Sequence, residues 1–198
     1  MAENEPPKTS TYLSSALDLS PFPELEKPEI DPAILKRVQA HISWSEAQSG
    51  LGKMLIEFQF LETALREYIA NLIDKNDSTV GYITTTRMRF IQLLNVLCAL
   101  FAHRCKNEEK VNALREILKK CAECNERRNE LVHSFWYSDE DEGIAVRFEI
   151  RIGRGKLPYD ESEEWVPGDL LELDAKMCEI VRADLDRFFD EYKLSEQS

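Results

Sequence analysis

Apolar residues recur at helical spacing through most of this chain, and in one place they alternate instead. Met54, Phe58, Leu61, Leu65, Tyr68, Ile69 and Leu72 follow one another at three- and four-residue steps, which predicts a helix over 52–75. Upstream, "EIDPAILKRVQAHISW" predicts another, with Asp31 as its N-cap and Pro32 at its first position. Ser49, Gly50 and Gly52 predict a break between the two. "NDSTVGY" (76–82) reads as a loop, and "TTRMRFIQLLNVLCALFAHR" (85–104) as a mostly buried third helix. A long fourth helix runs from about Asn107 to Phe135, followed by the acidic turn "DEDEG". "IAVRFEIRI" (144–152) alternates apolar with polar, as a half-buried strand does, and "GRG" (153–155) is turn material. A last helix starts near "PGDLLELD". The fold class is therefore all-α: a four- to five-helix bundle with a small β-hairpin or strand insertion, about 143–166, before the C-terminal helix. Residues 31–195 form the domain, and 1–30, rich in Pro, Ser and Glu, read as a poorly ordered lead-in.

The fourth helix carries an anomaly in its phase. At about 100° per residue from Val111, the residues Leu114, Leu118, Cys121, Val132 and Trp136 fall between about 280° and 340°. Ile117, Leu131 and Phe135 flank them at about 200–240°, while Glu116, Lys119, Glu123, Glu126, Arg127 and Glu130 form the opposite, solvent face. Arg128, near 260°, lies within the apolar stripe, as does Asn125 near 320°. Asn129 and His133 form an i, i+4 pair at its edge. A buried guanidinium needs a partner or an opening. Arg128 thus either pairs with a carboxylate of the second helix, Glu57 or Glu62, or faces a cleft.

Charge sharpens this. The chain carries a net charge of −12, poor for a general nucleic-acid coat. Yet residues 87–133 hold 10 Lys/Arg against 6 Asp/Glu, so the basic block contains the anomalous cluster. No apolar run is long enough to span a bilayer, and the first residues lack the basic and apolar regions of a secretory signal. Five unevenly spaced cysteines read as reduced thiols of a cytoplasmic protein.

Arg128, Asn129 and His133, in "RNELVH", resemble the Arg-x(4–6)-His signature of the HEPN superfamily, all-helical proteins with this motif at the end of a long helix. "FLETALREYI", "RRNELVHSFW", the acidic turn and strand, and the acidic last helix extend the resemblance over about 50–195. It implies metal-independent RNA cleavage, in which a ribose 2′-hydroxyl attacks the adjacent phosphate. His133 would then be the general acid/base and Arg128 would stabilise the phosphoryl oxygens. Asn129 would orient His133 or bind phosphate, Asn125 would support the site, and Glu62, with Glu57 behind it, would hold Arg128. The resemblance also implies a homodimer that pairs two motifs, and no cofactor. A noncatalytic module in a bacterial or phage defence or toxin–antitoxin system is the alternative, with a cognate antitoxin or nucleotidyltransferase as partner.

Other constellations read more plainly. "CAEC" (121–124) has half of a zinc site's spacing, but both cysteines fall on the apolar side, where free Cys packs as a small hydrophobe. His41 and His103 read as structural or solvated. "GRGK" (153–156) reads as a hairpin turn and 139–142 as a solvated acidic loop. Phe135 and Trp136 read as packing at the helix end.

Overall fold

A computed structural model describes residues 31–151 and 160–196. The lead-in 1–30 and the turn at 153–156 lie outside the described residues. Five helices and one sheet follow in the order α1 (Pro32–Ile73), α2 (Thr79–Thr85), α3 (Phe90–Arg104), α4 (Glu108–His133), β1 (Phe135–Asp139), β2 (Ile144–Arg151), β3 (Asp160–Trp165) and α5 (Gly168–Glu196). The all-α bundle with a small β insertion before the last helix is what the patterning predicts.

The expected break at 49–52 is absent: α1 runs unbroken for 42 residues. The reason is tertiary. A Cβ on Gly50 would lie 2.7 Å from Leu171 Cβ and 3.1 Å from the Gly168 carbonyl oxygen. Gly50 therefore lets the start of α5 press against α1, and helical propensity yields to that contact. Part of the expected 76–82 loop is likewise helical, as α2. It rests on α1 through Gly81, where a Cβ would come 2.3 Å from Ala70 Cα. Arg66 of α1 fastens the far end, donating to the Thr85 carbonyl and, at 3.2 Å, to that of Met88.

Capping sets the other starts. Asn107 Oδ1 accepts from the Lys110 amide at 3.1 Å, satisfying one of the unpaired donors at the start of α4. Arg89 precedes α3, and its amide donates to Gln92 Oε1 at 2.8 Å.

The helix α4 ends two residues earlier than expected, at His133. Phe135 and Trp136 belong to β1 and not to the helical stripe. The Trp136 indole donates to the Leu131 carbonyl at 2.9 Å, satisfying one of the free acceptors at the helix end. The sheet has the order β1-β2-β3 with both pairings antiparallel, one strand more than a hairpin. The "DEDEG" segment turns by local bonding. Asp139 Oδ1 accepts from the Asp141 and Glu142 amides, both at 3.0 Å, and Gly143 has φ +74°, where a side chain would be strained. This run is more than a solvated loop. Lys36 donates to the Asp141 carbonyl at 2.6 Å and Arg37 meets Glu140 at 3.6 Å, joining the turn to α1.

Two buried clusters result. The larger includes Phe58, Leu61 and Leu65 of α1, Leu93, Leu97 and Phe101 of α3, Leu114 and Leu118 of α4, and Leu185 and Phe189 of α5. The smaller joins Ala47 and Met54 of α1 to Leu131, Ala145, Val166, Leu171 and Ala175. The described residues from Ala33 onward form one compact unit.

Replacing Gly50 with Ala should push α5 off α1 and destabilise the protein by about 1–3 kcal/mol, the usual cost of overpacking. A thermal melt followed by circular dichroism measures this; an unchanged midpoint would remove the close-approach explanation for Gly50.

Candidate functional site

Arg128 sits where the two clusters meet. One turn before it, Cys124 belongs to the larger; three residues after it, Leu131 belongs to the smaller. The apolar stripe of α4 is interrupted at the seam, which is where Asn125, Arg128 and Asn129 are half-buried. A seam tolerates polar groups better than either core does, because some solvent reaches it.

The Arg128 guanidinium lies 5.7 Å from the centre of the Phe58 ring, and Phe90 packs on the same ring at 4.7 Å. The cation thus rests on an aromatic platform held by the larger core. Its Nη1 donates to Asn129 Oδ1 at 2.9 Å, which draws the guanidinium towards the side of α4 that carries Asn129 and His133. Its Nε is buried and has no hydrogen-bond partner among the described residues. His133 closes the helix as an exposed residue of its last turn, where a positive charge would meet the negative end of the helix dipole.

Neither expected carboxylate holds Arg128. Glu62 pairs with Arg66 at 2.5 Å, one turn along its own helix, and so belongs to the α1–α2 fastening. Glu57 is half-buried with Oε2 lacking a hydrogen-bond partner, and it forms no ion pair among the described residues. Asn125 lies beside the seam with no side-chain hydrogen bond among the described residues.

Arg127, expected on the solvent face, is instead an interhelical tie. Its Nε donates to Asp174 of α5 at 2.9 Å and Nη1 meets Glu130 at 3.2 Å, with three-quarters of the side chain covered. The two carboxylates raise its pKa against the opposing effect of burial. Helix phase put Arg127 near 160°, on the solvent face. What it lacked was the direction from which α5 arrives. "ELDAK" in the last helix was the available signal, since Asp174 is an acidic residue between Leu171 and Ala175.

The cysteines behave as core. Cys121 and Cys124 of α4 and Cys178 of α5 are fully buried, and all five cysteines are free thiols. Burial pushes the Cys121 thiol up to about 12, and the hydrogen bond to Cys178, with burial, pushes Cys124 up as well. Among the described residues no cluster of His, Cys, Asp and Glu could hold a metal ion. No helix among them is long and apolar enough to cross a membrane.

Comparison with known proteins finds no matching family model, no matching curated protein and no matching solved structure.

Two outcomes check this geometry. Arg127→Ala strands Asp174, half in the interior, and should cost about 1–3 kcal/mol in a denaturant titration; a loss under about 0.5 kcal/mol would reduce the pair to an ordinary surface contact. Brief iodoacetamide treatment of the folded protein near neutral pH should label the half-buried Cys98 and spare Cys121, Cys124 and Cys178. Mass spectrometry of the digest reads the pattern, and equal labelling would show that the α4–α5 seam is open.

Proposed function

We propose that the end of α4 is an RNA-cleaving site and the chain a cytoplasmic, HEPN-like, metal-independent endoribonuclease of toxin or effector type. One observation carries the reading. Arg128 stands on Phe58, is tied sideways to Asn129, has no carboxylate partner among the described residues, and lies five residues before an exposed histidine on the same helix end.

The chemistry asked of these groups is modest. His133 takes the proton of a ribose 2′-hydroxyl, the oxygen attacks the neighbouring phosphorus as its bond to the 5′-oxygen breaks, and the 5′-oxygen departs with the proton returned by the His133 imidazolium. Arg128 offers N–H donors to the phosphoryl oxygens as charge builds there. Asn129, one turn before His133 on the same side of the helix, holds the guanidinium there. The positive balance of residues 87–133 favours approach of a polyanion to this part of an acidic chain.

A second reading has its own support. Val132 and Phe135 are exposed on either side of His133, at 37% and 67%. Apolar surface around a motif suits a protein partner, so a noncatalytic interaction module, with an antitoxin or nucleotidyltransferase as its partner, is the alternative.

Incubation of diverse RNAs in EDTA separates the two. The wild type should cleave, leaving cyclic phosphate ends. His133→Ala should lose about 10²–10⁴-fold in rate, as general acid–base catalysts do. Arg128→Ala should lose about 10²–10³-fold, the usual cost of one oxyanion donor. Equal rates in all three proteins would remove the site, and an inert wild type would leave the interaction module.

A further inference from the structure

The outer face of α1 is apolar and faces solvent. At about 100° per residue from Ile34, one sector of about 0–80° contains Ile34, Val38, Ile42, Ser45, Ser49, Gly52, Ile56 and Phe60. No charged residue of α1 interrupts it between Ile34 and Phe60, in a chain that is 31% charged, and at its far end Arg182 of α5 lies 5.9 Å from the centre of the Phe60 ring. The five large side chains are 46–56% exposed, as is Leu35 at the sector's edge. The N-terminal part of the helix is the barest: from Pro32 to Glu46 only Ala40 is buried. A helix of that length is marginal by itself, and among the described residues it is secured by the β1–β2 turn and its strands, by Trp44 against the smaller core and by Gly168 against Glu46.

We propose that a second copy of this chain covers this face, its α1 lying antiparallel to the first about a two-fold axis beside residue 47. An isologous interface needs a surface that is its own complement, and this stripe is one. Reversed about residue 47, Ile34 faces Phe60, Val38 faces Ile56, Ile42 faces Gly52 and Ser45 faces Ser49. Large meets large at both ends. In the middle the isoleucine meets a glycine with open space above it, and the small serines let the helices approach closely. At on the order of 100 Å² per half-exposed side chain, six of them supply roughly 600 Å² per chain, most of the 800 Å² per partner of a standard interface.

The proposal does not rest on the ribonuclease reading. Phe58, beneath Arg128, lies about 160–200° around α1 from Ile56 and Ile42. Each copy therefore keeps its own Arg128–His133 site open. This differs from the pairing of two motifs that the HEPN resemblance implies.

Sedimentation equilibrium of the full chain over a concentration series tests the face and the register together. The wild type should be a dimer. Val38→Lys and Ile56→Glu each put unpaired charges into the interface and should raise the dissociation constant at least about 100-fold. The double variant V38K/I56E sets lysine against glutamate at both symmetric contacts and should recover most of that loss. Both positions are half-exposed in the single chain, so circular dichroism should show all variants folded. A monomeric wild type would overturn the proposal, as would single variants that still dimerise. Weakened single variants without recovery in the double variant would overturn the antiparallel register.

Discussion

The rest of the structure depends on the continuity of α1 through Ser49–Gly52. At about 1.5 Å per residue its 42 residues span about 63 Å, and both buried clusters use it as a wall. Continuity is compatible with two glycines because Gly50 is needed for another reason: α5 begins against it, through Gly168 and Leu171. That contact places Leu171 and Ala175 over Met54 and Leu131 and so creates the smaller core. The modest helical cost of a glycine is offset by the apolar surface that the approach buries.

Two cores on one wall leave a seam, and the polar cluster of α4 occupies it. Arg127 and Arg128 are neighbours in sequence with opposite environments. Arg127 is spent on Asp174 and Glu130, binding α4 to α5. Arg128 meets an aromatic ring and a neutral amide, and no carboxylate among the described residues. An arginine neutralised by a carboxylate has little left for a phosphate, whereas one on a ring keeps its full charge. That distinction, and not motif spacing alone, separates the two arginines.

Most of the bundle was legible from periodicity. The start near Asn107, the proline at the start of α1 and the alternation from Ile144 all mark their elements correctly, because they act over one turn or one pair of strands. The misreadings have a common cause. Gly50, Gly81 and Phe135 each take a local conformation that depends on a partner distant in sequence: Leu171 for Gly50, Ala70 for Gly81, and the β2 strand for Phe135. Glu62 was misassigned for a related reason. Its carboxylate had a nearer arginine, Arg66, held in place by carbonyls after α2.

The sequence by itself determined which residues are anomalous. The phase of α4 singles out Asn125, Arg128, Asn129 and His133, since helical geometry depends on nothing beyond the chain's own order. Only the tertiary structure decided their circumstances: which arginine is paired, which carboxylates are engaged elsewhere, and which face of α1 is left uncovered. Helix phase gives a direction for each side chain, but the partner in that direction is set by where other helices cross, and those crossings are fixed by contacts between residues far apart along the chain.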